Sequence, residues 1–127
     1  MRLLLDTHAF LYFLAGHERL SPGAREAMEE GEEAYVSAAS VWEIAIKASL
    51  GRLELPEDLE SFLLEAMEAE ALLPLPVTLA HAAMVRGLPW HHKDPFDRLL
   101  VAQALREGLA LVSQDRLLDA YGVQRVW

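Results

Sequence analysis

Short apolar runs alternate with longer segments of helical spacing along the whole chain, and no other feature restricts the fold as much. "RLLLD" (2–6), "EAYVS" (33–37), "LALVS" (109–113) and "VQRVW" (123–127) are too short for buried helices and read as strands. "LLPLPV" (72–77) is extended as well, because each proline disfavours helix in the residue before it. Between these runs lie helical segments with recognisable starts and stops. Ser21 with Pro22, Ser37 or Ser40, Thr78, and Asp94 with Pro95 are start signals, while Gly16, Gly31, Gly51, Gly87 and Gly108 mark ends. Leu59, Phe62, Leu63 and Met67 form one apolar face of "LPEDLESFLLEAMEAEA". A short helical piece, "DRLLDAYG", separates the last two strands. Strands joined by helices imply an α/β fold with a mainly parallel central sheet and helices on both faces. Ligands in such folds gather outside the carboxyl ends of the strands.

The chain has 127 residues, which suits a single domain over 1–127 with one sizeable core. A hydrophobic fraction of 53% with 24% charged residues excludes the signature of disorder. There is no cysteine, so disulfides and thiolate metal sites are excluded, and a cytoplasmic location is the natural expectation. "MRLLLDTHAFLYFLAG" begins like a signal peptide, but Asp6 and His8 interrupt it and no cleavage site follows. No run approaches the roughly 18 apolar residues of a membrane span. The formal net charge of −9 argues against a surface that embraces nucleic acid all round. It is compatible with a pocket of carboxylates whose local sign is reversed by bound cations.

Four acids raise that possibility. Asp6 ends the first strand and Asp115 follows the strand "LALVS", both where α/β sheets build their sites. Glu43 lies in "AASVWEIAIKA", a helix apolar nearly all round, where an ionised carboxylate is costly without a partner. Asp97 falls in the first turn of the leucine-rich helix "DPFDRLLVAQAL". Each also has a plain structural reading. Asp6 and Asp115 can cap the helices that follow them, and Asp94 reads better as a cap than as a ligand. Glu43 can pair with Lys47 one turn on, worth about 0.2–0.5 kcal/mol. As a set, however, the four would repel unless something positive neutralised them. Oxygen ligands without cysteine or paired histidines select hard cations, Mg²⁺ or Mn²⁺, over zinc.

"LLLDTHAFLYFLAG", "VSAASVWEIAIKASLGRLEL", "HHKDPFDRLLVAQAL" and "LALVSQDRLLDAYGV" resemble, in order and over nearly the whole chain, the signature blocks of PIN-domain proteins. The likeness is strongest to the VapC-type toxins of bacterial toxin–antitoxin pairs. Carried over by position, the resemblance implies catalytic, metal-holding acids at Asp6, Glu43, Asp97 and Asp115, with Asp94 auxiliary and Ser113 orienting a ligand or water. Tyr12 departs from the Trp common in this branch, a change that affects packing more than chemistry. The resemblance implies a single PIN-like domain and an Mg²⁺- or Mn²⁺-dependent endoribonuclease. It also implies a cognate antitoxin protein and a homodimer, for which Phe10 and Phe13 are candidate contacts if they are not core.

Substrate grip must come from local positive charge, since the overall charge is unfavourable. Lys47, Arg52, Lys93, Arg98 and Arg116 lie near the acidic blocks and are candidates to line an RNA path, with Arg98 and Arg116 foremost. Ordinary solvated charge is the alternative for each. His91 and His92 lack the i,i+4 spacing of a helical zinc pair, and either lie near the substrate entrance or have no direct role. His8 reads as a packing residue, and His17 and His81 carry no signal. Two rivals remain: a PIN-like scaffold that binds without turnover, and a phosphoacceptor receiver domain. The receiver needs paired acids after the first strand and a Lys after the last core strand, and "LLLDTH" and "LALVS" supply neither.

Overall fold

The structure is a computed structural model that describes residues 1–16 and 18–127. His17 lies outside the described residues. The elements run β1 (Arg2–Leu5), α1 (Thr7–Ala15), α2 (Pro22–Glu30), β2 (Glu33–Ser37), α3 (Ala38–Ser49), α4 (Leu59–Ala69), β3 (Leu72–Leu75) and α5 (Leu79–Met84). A 3₁₀ turn, Val85–Gly87, continues α5, and α6 (Pro95–Glu107), β4 (Ala110–Val112), a 3₁₀ helix (Arg116–Tyr121) and β5 (Arg125–Val126) complete the chain. The strands form one parallel sheet in the order β3-β2-β1-β4-β5. This is the α/β architecture expected from the alternation of elements.

β1 is apolar at every core position because both of its faces are covered. Leu3 and Leu5 point into one cluster with Phe10 of α1, Ile44 of α3 and Leu63 and Met67 of α4. Leu4 points the other way, into a cluster with Leu100 and Val101 of α6, Leu111 of β4 and Leu118. Period-two alternation therefore places successive leucines in different cores. All three are fully buried, each worth about 1.5–3 kcal/mol relative to exposure. Pro74, which cannot donate to a ladder, is tolerated because β3 is an edge strand.

Phe10, suggested above as a contact between two copies, is instead wholly buried beneath the sheet, and Phe13 packs against the same core. The cause is geometric: α1 follows β1 directly and must lie on the sheet, so its apolar face turns inward. Tyr12 stacks on His8 with ring centroids 6.2 Å apart and meets Trp127 at 6.5 Å, which gives it the packing role anticipated for this position.

The strand order creates a switch point. The chain moves from β1 outward through β2 to β3, then returns to add β4 on the opposite side of β1. The carboxyl ends of β1 and β4 thus lead into helices on different faces, which is where open α/β sheets build their sites. Asp6 lies one residue beyond β1, and Ser113 and Asp115 lie just beyond β4.

Candidate active site

Three of the acids are caps, and the cap is what aims them. Asp6 accepts from the Ala9 N–H through Oδ1 at 2.8 Å and so starts α1. Asp94 accepts from the N–H groups of Phe96 and Asp97 through Oδ1, at 2.8 and 3.1 Å, and starts α6. Asp115 accepts from the Leu117 N–H through Oδ1 at 3.0 Å and starts the 3₁₀ helix. In each case the capping bond is made by a single oxygen. The structural and chemical readings of these residues are therefore compatible, since capping engages only Oδ1 of each.

Ser113 ties two of them together. It is completely buried, its Oγ accepts from the Asp115 N–H at 3.1 Å, and its hydroxyl donates to the Asp6 carboxylate. Glu43 comes from the middle of α3, is only 8% exposed, and pairs with Lys47 at 3.0 Å. Beside it Thr7 donates to Ser40 at 3.0 Å in a buried contact between α1 and α3.

Acids distant in sequence lie within reach of one another's charge. Burial raises the Asp6 carboxyl above the ordinary range, hydrogen bonds from Ser113 and Ala9 oppose that shift, and Glu43 adds to it. The Asp97 carboxyl is pushed up to about 7, first by burial, then by the charges of Asp94 and Asp6 and, more weakly, Glu43, with His92 pulling the other way. Carboxylates that raise one another in this way form an anionic pocket that favours either protons or cations. Asp115 joins through His92, whose Nε2 lies 2.8 Å from Asp115 Oδ2 and 3.5 Å from Asp97 Oδ2. Ligand atoms of His92, Asp97 and Asp115 lie within 4.8 Å of one another. The donor set is dominated by oxygen, which fits a hard divalent cation.

The basic residues divide differently from the expectation. Arg98 is 3% exposed, and its guanidinium donates to the carbonyls of Pro89, Val85 and Leu88 and to the Tyr121 hydroxyl. Trp90 lies on its face at 3.8 Å. It therefore locks the segment before α6 and is not a substrate contact, because an arginine on an otherwise apolar helix face must be satisfied where it is buried. Lys47 is committed to Glu43. Lys93, Arg116 and Arg52 are exposed, the first two beside His92 and Asp115 in the chain.

His92 was the residue least legible in the sequence. Its ring bridges two acids, and its own N–H donates to the Tyr121 hydroxyl at 2.9 Å. Its spacing from Asp94 and Asp97 carried no metal-site pattern, and only its adjacency to the "DPFD" cap marked it. His91 instead packs edge-on against Tyr121 at 5.1 Å. His81 is buried, caps α5 with Thr78 and reaches Glu107 at 2.8 Å, away from the acids.

The PIN domain family model matches residues 3–123. Ribonuclease VapC22 of Mycobacterium tuberculosis is 35% identical over 120 residues, covering 94% of this chain and 91% of that protein. The fold is shared with VapBC2 of Rickettsia felis bound to a DNA fragment from their promoter, at a TM-score of 0.72 and 13% identity over 98% of this chain and 97% of that one. It is also shared with DNA-bound VapBC of Salmonella typhimurium, at 0.69 and 18% identity over 98% and 96%. A strand-end pocket of acids at the β1/β4 switch point, in a chain matched by one family model almost from end to end, is the mark of descent as well as of chemistry: this protein belongs to the PIN domain family and is similar to its VapC members.

Proposed function

We propose that the chain is a metal-dependent endoribonuclease, the toxin of a toxin–antitoxin pair, with its active centre at Asp6, Glu43, Asp97 and Asp115. The observation that supports this reading is the Asp97 carboxyl, pushed up to about 7 by burial and by the charges of Asp94, Asp6 and Glu43, with Asp115 joined to it through His92. The likeness to a named VapC ribonuclease supports the same activity.

Asp6, Glu43, Asp97 and Asp115 hold the cation in this proposal, with Asp94 fixing α6 and lending charge, and Mg²⁺ or Mn²⁺ is the ion that suits them. When bound, such an ion attracts the phosphate, lowers the pKa of a water and stabilises the leaving oxygen. The protein supplies the rest. Caps on Asp6, Asp94 and Asp115 fix three carboxylates before substrate arrives, and Ser113 sets the angle between Asp6 and Asp115. Leu5 and Val112, the last residues of β1 and β4, are fully buried and anchor the strand ends that carry Asp6 and Ser113. Arg116 and Lys93, exposed and adjacent in sequence to Asp115 and His92, are the cations this proposal assigns to the phosphate backbone.

The partners in this proposal are RNA as substrate, a cognate antitoxin that covers the acidic pocket with a basic side chain, and a second copy of the chain. Among the described residues no helix is long and apolar enough to cross a membrane. Cleavage of a labelled single-stranded RNA pool with Mg²⁺ or Mn²⁺ tests the proposal. Cleavage that stops with EDTA and in Asp6→Asn supports it, whereas RNA binding without cleavage in either metal identifies a binding scaffold.

A further inference from the structure

His92 is held at both ends. Its backbone N–H donates to Tyr121, and its Nδ1 accepts from the Asp94 N–H at 3.0 Å. With the Nδ1 lone pair occupied by a donor, the hydrogen of the neutral ring belongs on Nε2. That nitrogen faces Asp115 Oδ2 at 2.8 Å and Asp97 Oδ2 at 3.5 Å, so it donates to the first and leans on the second. A nitrogen carrying hydrogen has no lone pair for a cation. Metal-bound imidazoles also usually donate through their other nitrogen, whereas this one accepts. In this arrangement the ring is therefore a competitor for the carboxylate oxygens and not a ligand beside them.

We propose that His92 is a positioning residue that draws Asp97 and Asp115 together in the ion-free protein and competes with the divalent cation for them, so that it sets the cation concentration at which the centre fills. The inference rests on the metal site proposed above. Asp115 Oδ2 takes the Nε2–H as its donor, and Asp97 Oδ2 stands 3.5 Å from the same nitrogen. An ion that takes Asp115 Oδ2 must displace that donor. Because the same ring accepts from Asp94, its displacement also frees the N–H beside the cap of α6. Filling of the centre is thereby coupled to the 88–94 segment, which Arg98 anchors from below through Leu88 and Pro89.

Mn²⁺ titration by calorimetry, with free Mn²⁺ read in parallel by electron paramagnetic resonance, tests the proposal on wild type, His92→Ala, His92→Gln and Asp6→Asn. Loss of a hydrogen bond to a charged acceptor is expected to make His92→Ala bind Mn²⁺ about tenfold to a hundredfold more tightly. His92→Gln, whose amide N–H reaches the place of Nε2–H, should stay close to wild type. Weaker binding by His92→Ala would make the ring a nitrogen ligand and overturn the proposal. Unchanged binding, or equal tightening by Ala and Gln, overturns it too, since the donor then sets nothing. If wild type and Asp6→Asn take up Mn²⁺ alike, or neither does, the metal site itself is wrong and the inference falls with it.

Discussion

Lys47 Nζ lies 3.0 Å from Glu43 Oε2, one turn further along α3. The pair is largely sheltered, so the lysine is the standing counter-charge of a carboxylate that is otherwise buried in a helix. Removing one partner of such a pair leaves a charge without compensation. Lys47→Met is expected to destabilise the ion-free protein by about 1–3 kcal/mol, less than for a fully buried pair. Thermal melts in EDTA and in Mn²⁺ check this: the ion should recover most of the loss, and an equal loss in both conditions would count against a shared pocket.

The raised Asp97 carboxyl predicts an unusual pH trend. Between about 4, near its ordinary value of 3.8, and about 7, folded chains keep a proton that unfolded chains release. The stability of the ion-free protein should therefore fall as pH rises through that window, by at most about 1.4 kcal/mol per unit before solvent screening is counted. Asp6, shifted in the same direction, adds to the slope. Asp97→Asn should flatten it and abolish RNA cleavage. A melting temperature that is independent of pH in EDTA would refute the electrostatic account.

Arg98 and Arg116 should separate cleanly. Arg98→Ala strips donors from three carbonyls and from Tyr121, and a loss of about 3 kcal/mol or more is expected. Arg98→Lys should rescue little, because an ammonium cannot span those acceptors or lie flat on Trp90. Arg116→Ala should leave the unfolding free energy within about 0.5 kcal/mol of wild type and raise the KM for RNA. Loss of RNA binding by a fully stable Arg98→Ala would reverse these assignments.

Ser113→Ala removes the hydroxyl shared by Asp6 and Asp115. A fall of about tenfold to a hundredfold in Mn²⁺ affinity is expected, as for other groups that orient metal ligands. Calorimetry on the purified variant, with its melting curve as a control for folding, distinguishes this from general damage.

Much of the fold could be read from local signals because those signals agree with one another. Ser21, Ser37, Thr78 and Asp94 all start helices, and Gly16 and Gly108 end two of them in the left-handed conformation. The acids were legible for the same reason: a carboxylate at a strand end or in an apolar helix contradicts its surroundings. Phe10, Arg98 and His92 were not. Whether a phenylalanine on an early helix meets the sheet or solvent depends on the angle between α1 and β1. Whether an arginine after an acid faces RNA or the carbonyls of Val85, Leu88 and Pro89 depends on how a segment ten residues upstream folds back. His92 finds Asp115 only because β4 returns beside β1, which is a fact of strand order and leaves no trace in a stretch of ten residues.

The three aspartates that open helices, Asp6, Asp94 and Asp115, each make the opening bond through Oδ1 alone. Such a molecule has no dormant shape in which its secondary structure stands while its cutting centre is scattered. Any restraint on it must act by withholding the ion or by another protein laid over the opening.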